Sequence, residues 1–260
     1  MTQLSFEGFE TNSEKLCTVE KMEDLVYPED LEKGAMICAL EPEIRTDVPG
    51  CAAAFVSGDP FARAELVDYK QGDNPYRAEG NCGIVSVTNV LSIAGLEATE
   101  EGTTHHAIVS GECYYNPFGP SSENGGTTME LQEKILEDHG IASTCYASSE
   151  FGLNEIADAV ENGQGVIAEV NADILWEEDL GSTGLCANHA ITITGIARDA
   201  ATGEIAGVYI CDSGRGCQGD ACRFVSAEQF RDCYEGIANS GAVVTDAPIS
   251  TDQMERPVQA

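Results

Sequence analysis

Thiol and imidazole chemistry is open to this 260-residue chain through eleven cysteines and four histidines, and one residue of each kind stands apart by its surroundings. Cys82 follows the turn-forming pair Gly80-Asn81 and precedes Gly83. After it, Ile84, Val87, Leu91 and Ala94 recur at three- and four-residue spacing, with Gly95 as a helix stop. That pattern predicts a helix with Cys82 in its first turn. A thiol attacks only as its thiolate, and a free cysteine of pKa ~8.5 is mostly protonated at neutral pH. Unpaired backbone N–H groups at a helix N-terminus favour the thiolate, and a neighbouring imidazole can hold the departing proton. None of the other ten cysteines combines a preceding Gly-Asn turn with a following amphipathic helix.

Among the histidines, His139 falls at a predicted helix C-terminus, and His105 and His106 lie in the polar stretch after Glu100-Glu101-Gly102-Thr103-Thr104, read as surface. His189 opens the strand-like run His-Ala-Ile-Thr-Ile-Thr-Gly and shares a face with Ile191 and Ile193 by the two-residue period. A hairpin loop over Arg198 to Glu204 joins this run to Val208-Tyr209-Ile210-Cys211-Asp212. If the hairpin is centred between Ala200 and Ala201, His189 and Asp212 fall opposite each other, with Cβ atoms about 4.5–5.5 Å apart. The carboxylate would then fix one ring nitrogen and leave the other for a thiol.

Positioning these residues requires helices first and strands second. Further helices are predicted over Thr128 to His139, Leu153 to Asn162 and Ala227 to Tyr234; strands are predicted over Val166 to Val170, Ala190 to Thr194, Val208 to Cys211 and Ala242 to Thr245. The expected class is α+β, a helical half packed against an antiparallel sheet with a site in the cleft between them. The expected boundaries are an acidic N-terminal extension over residues 1–65, a catalytic domain over 66–250 and a flexible tail over 251–260. Trp176, the one tryptophan, is read as core, and Gly125-Gly126 as a turn before the second helix.

In that order, Glu-Gly-Asn-Cys82-Gly, then Asn-His189-Ala-Ile-Thr-Ile-Thr-Gly, then Tyr-Ile-Cys-Asp212-Ser-Gly resemble the papain-like cysteine peptidase clan. The similarity is greatest to bacterial double-glycine-leader peptidases and papain-fold toxin domains, and it covers about Leu66 to Val244. The resemblance implies a cysteine peptidase working through a thioester, with Cys82 as nucleophile, His189 as base and Asp212 as the residue that orients it. It also implies a bacterial toxin or effector setting. An amidase, deamidase or acyltransferase would use the same residues, and an inactive papain-fold binding module is the non-enzymatic alternative. Clan members usually place an oxyanion-binding glutamine about six residues before the nucleophile, where this chain has Tyr76. Gln71, Asn74 and Asn81 are the substitutes within the preceding loop, with the Cys82 backbone N–H as the other donor.

Composition bounds the partners. With 13 Lys+Arg against 45 Asp+Glu and a net charge of −32, the chain lacks the clustered cations that nucleic acid or anionic membrane requires. A protein or peptide substrate, basic if the charge has a recruiting role, is the expected partner. No cofactor and no metal is expected, since Cys211, Cys217, Cys222 and Cys233 match no standard zinc spacing. The N-terminus has neither a basic start nor an apolar run, so a cytoplasmic location, or export by a route independent of a signal peptide, is expected.

Overall fold

The computed structural model describes residues 42–178 and 185–249, which form a mixed structure of seven helices and an eight-stranded antiparallel sheet among the described residues. Strands β1 (Glu43–Arg45) and β2 (Ala54–Ser57) lead into the short helix α1 (Pro60–Arg63). Helices α2 (Cys82–Ile93), α3 (Glu100–Ser110) and α4 (Met129–Asp138) follow, then β3 (Ser143–Ala147), α5 (Leu153–Glu161), β4 (Val166–Val170) and α6 (Ala172–Trp176). The long hairpin β5 (His189–Asp199) and β6 (Ile205–Cys211) comes next, and β7 (Arg223–Ser226), α7 (Ala227–Tyr234) and β8 (Gly241–Thr245) close the domain. No helix among the described residues is long and apolar enough to cross a membrane.

β5 organises the sheet. One edge pairs along its length with β6, while the other pairs with β4 at its start and β2 at its end. β8 and then β3 extend the sheet beyond β4. β4 is apolar toward both faces: Ile167 packs with α2 and α4 in one core cluster, while Val166, Ala168 and Val170 pack with α5 and α7 in another. Both faces therefore need cover. Helices lie on both faces of β4, α2 and α4 on one and α5 and α7 on the other, where the expectation had a single helical half.

Three further differences from the sequence-based expectations have local causes. The expected extension over residues 1–65 does not stop short of the sheet, because β2 buries Ala54 and Val56 beside Ala197 and Tyr209 and hydrogen-bonds to β5. Residues 1–41 and the expected tail at 251–260 lie outside the described residues. The polar run after Thr99 is a helix, α3, because Thr99 caps its N-terminus through its side chain and Gly111 ends it with φ 74°. In the β5–β6 hairpin, the Asp199 carboxylate accepts from the backbone of Ala201 and Thr202, and Gly203 takes φ 75°. This moves the turn on by one residue, so Thr192 pairs with Cys211 and Asp212 stands level with Ile191, beyond the end of β6. At the end that carries His189 and Asp212 this is a two-residue shift in pairing, which keeps those two side chains on their expected face, while irregularities at Ile193/Gly195 and Ala197/Arg198 interrupt the register further along.

Candidate active site

Cys82 is the first residue of α2, and the Asn81 side chain makes no capping hydrogen bond to that helix. Asn81 is buried and turned instead to the loop and to α3: its oxygen accepts from the Gly72 amide at 3.1 Å, and its nitrogen donates to Glu100 at 2.7 Å and Thr104 at 3.2 Å. The helix N-terminus thus keeps its positive end free of a competing side-chain acceptor. A Cβ on Gly83 would collide with Thr127 and Gln132, so only glycine lets the first turn settle against that pair.

His189, at the start of β5, is almost fully buried, and its Nε2 lies 2.7 Å from Asp212 Oδ1. Nδ1 is then left for the thiol, and Cys82 is a hydrogen-bonding and charge partner of the ring. The cross-strand opposition expected for His189 and Asp212 does not occur; the two meet diagonally, within reach because both project from the same face. Asp212 is completely buried. Besides His189 it receives the Trp176 indole N–H on Oδ2 at 2.7 Å and the Gly214 amide on Oδ1 at 2.9 Å, with Arg223 3.7 Å away.

The electrostatics follow from these contacts. Burial alone would push the His189 imidazolium down, but hydrogen bonds and charge from Asp212 and Cys82 outweigh it and raise the pKa to about 10. Burial would likewise raise Asp212, yet His189, the indole and the Gly214 amide hold it down to about 2. The arrangement favours a charged imidazolium beside the Asp212 carboxylate, with the Cys82 side chain as its other partner. By contrast, burial pushes the thiols of Cys51, Cys113, Cys145, Cys211, Cys222 and Cys233 up, which leaves them poor nucleophiles.

Trp176, expected in the core, is half-buried against it but also covers the imidazole, with ring centroids 5.1 Å apart, and donates to Asp212. A Cβ on Gly214 would lie 2.6 Å from the indole and 2.9 Å from His189 Cε1. Glycine at 214 is what lets the ring, the indole and the carboxylate pack together.

The three oxyanion candidates part company. Asn74 and Asn81 each donate twice from their amides, Asn74 to Ala78 and Glu100, Asn81 to Glu100 and Thr104. They hold the loop and have no hydrogen left for an oxyanion. Gln71 spends one amide hydrogen on the Glu79 carbonyl at 2.7 Å, accepts from Ser213, and is tied by its backbone N–H to the Ser213 carbonyl beside Asp212. Its other amide hydrogen has no acceptor among these contacts.

Sequence reasoning missed Glu100. Buried in the first turn of α3, its carboxylate gathers the amides of Gly72 and Asp73 and the side chains of Asn74 and Asn81 at 2.7–3.1 Å. A buried carboxylate with this many donors is a fixed post for the loop that leads to Cys82. A signal was present, since Thr99-Glu100-Glu101 is helix-start chemistry. Glu169, on β4 opposite Ala190, was also missed; burial raises its pKa, against the hydrogen bond from Gln132 and the charge of nearby His189. As for the metal ligands considered in sequence, Cys211 and Cys233 belong to separate core clusters.

No protein-family model and no curated protein sequence matches the chain. Among solved structures it is similar to SERA5E from Plasmodium falciparum, at 15% identity and a TM-score of 0.42, covering 74% of this chain and 95% of that one. It is also similar to the SERA5 proenzyme from the same organism, at 17% identity and a TM-score of 0.42, covering 74% of this chain and 65% of that one. At this distance, the chemistry of the site rests on its own geometry.

Proposed function

We propose that this chain is a papain-like cysteine hydrolase that cleaves peptide bonds through a thioester, with its site between the start of α2 and the open end of the β5–β6 hairpin. The observation that carries this reading is the buried His189, held by Asp212 at 2.7 Å and coupled to the Cys82 thiol at a helix N-terminus. In the reaction the Cys82 thiolate attacks the substrate carbonyl carbon, and the carbonyl oxygen becomes an oxyanion. The Cys82 backbone N–H and the second amide hydrogen of Gln71 are the proposed donors to it. The His189 imidazolium gives its proton to the leaving amine, which departs as the C–N bond breaks and leaves an acyl-thioester. Neutral His189 then takes a proton from water, hydroxide attacks the thioester, and the acid and Cys82 thiolate are released as the imidazolium re-forms. Asp212 holds the ring and stabilises its charged form throughout.

The net charge of −32 favours a basic protein or peptide substrate through long-range attraction. The test is incubation of the full chain, and of Cys82→Ala, with a proteome lysate and with basic peptides, scored by mass spectrometry for new termini, deamidated Gln and transferred groups. New termini that depend on Cys82 are the expected result. Deamidation or transfer without new termini would assign the same thioester chemistry to another acceptor, and identical spectra for both proteins would sink the hydrolase.

A further inference from the structure

On the side of the molecule where α3 and α4 end, three potential ligand atoms converge. His106 Nε2 lies 2.9 Å from Asp138 Oδ2 and 3.4 Å from Glu112 Oε2, and all three atoms lie within 4.8 Å of one another. Glu112, one residue past the Gly111 that ends α3, is 1% exposed, and among the described residues its Oε2 receives no hydrogen bond. Lys134 Nζ donates to Oε1 at 2.5 Å, while Oε2 faces the imidazole at 3.4 Å, too long for a good hydrogen bond. A buried carboxylate oxygen without a donor is costly. His106 cannot cure this, because Nε2 has one hydrogen at most and Asp138 is the nearer acceptor.

A cation between the three atoms would satisfy all of them together. We propose that His106, Glu112 and Asp138 form a zinc site that ties α3 to α4, with water in the fourth position. Tetrahedral zinc with bonds of about 2.0–2.2 Å to nitrogen and oxygen sets its ligand atoms roughly 3.3–3.6 Å apart, so the observed separations need only small side-chain adjustments. One imidazole with two carboxylates suits zinc better than magnesium or calcium, which take oxygen ligands. His106 and Asp138 are each about a third exposed at the side chain, which gives the ion a path in, and the net charge of −32 draws cations toward the whole surface. His139, packed edge-on to His106 with ring centroids 4.9 Å apart, holds the imidazole from behind while its own Nδ1 is bonded to the Ile135 carbonyl. The site is independent of Cys82 chemistry, but the helix it secures is the one whose first turn carries Glu100.

The test is a zinc titration of the full chain after chelator treatment, by calorimetry and thermal melting. X-ray absorption of the loaded protein separates nitrogen and oxygen ligands from the sulfur of the chain's many cysteines. Wild-type protein should bind one zinc in a nitrogen/oxygen shell with a rise in the thermal midpoint. His106→Gln with Asp138→Asn should lose that equivalent, its affinity falling by more than about a hundredfold, since even outer residues around zinc are worth about 10- to 100-fold. The single variant Asp138→Asn, at an exposed position, should weaken binding and keep the native circular dichroism, which guards against a folding failure in the double variant. Equal zinc binding by wild type and both variants, an all-sulfur shell, or no saturable binding would each overturn the proposal.

Discussion

At the scale of single residues, the site depends on how Asp212 is satisfied. Its carboxylate is fully buried and accepts from His189, Trp176 and Gly214, so its charge is held by three donors that arrive from three places in the chain. The pH dependence follows from the two shifted groups. His189 has a folded pKa raised to about 10, so its charged form contributes stability that is complete below the ordinary imidazole value of about 6.5 and is lost as pH rises through 10. Asp212 is lowered to about 2; its contribution is complete above about 4 and is lost as pH falls toward 2. Iodoacetamide labelling with peptide mapping at pH 5 to about 8 should therefore find Cys82 modified first at the acid end, where ordinary thiols are protonated. His189→Ala should remove that preference, and Asp212→Asn should lower turnover by roughly a hundredfold, the scale of general acid–base assistance. Cys82 labelling no faster than exposed Cys186 and Cys217 would refute the ion pair. Gly214→Ala tests the packing around the same carboxylate: the added methyl meets the indole and the imidazole, so activity should fall while stability by chemical denaturation drops by no more than about 1–3 kcal/mol.

At the scale of elements, the loop before α2 is held in place by a different helix. Glu100 at the start of α3 receives four donors from residues 72–81, and the Asn81 side chain, instead of capping α2, completes that post. Glu100→Ala would leave those donors without their acceptor, at a cost of about 3 kcal/mol or more by chemical denaturation. The loss should be accompanied by slower labelling of Cys82 even under conditions where the fold is intact. A variant that loses stability but labels normally would make Glu100 a fold residue only. The helix α2 itself was legible from its spacing of Ile84, Val87 and Leu91, although it is buried nearly all round, between the sheet and residues of α3 and α4. α3 was missed because its sequence has no comparable apolar stripe, although the Thr99 cap and Gly111 mark its ends. β1 and β2 were hidden for another reason: short strands show too few residues for their alternation to register, and only pairing with β5 makes them strands.

At the scale of the whole molecule, charge is the dominant feature. A net charge of −32 on 260 residues opposes compaction through self-repulsion, which salt screens within about 10 Å at 0.1 M. The thermal midpoint should rise as NaCl increases from about 10 mM to 0.5 M, and capture of basic peptides should slow over the same range. A midpoint indifferent to salt would mean that the acidic residues are spaced well enough to avoid one another. What the sequence by itself determined is local: the first-turn position of Cys82, the strand that opens with His189, and the shared face of His189 and Asp212, because helical and strand periods are written in neighbouring residues. The tertiary structure decided what joins distant segments. The turn at Asp199 and Gly203 set the register that makes His189 and Asp212 meet diagonally, and a side chain on α6 closed over them as Trp176. It also gave Asn74 and Asn81 to the loop and left one Gln71 amide hydrogen without an acceptor among the described residues, since which hydrogen bonds a polar side chain makes depends on the residues that folding brings to it, and no spacing along the chain records that choice.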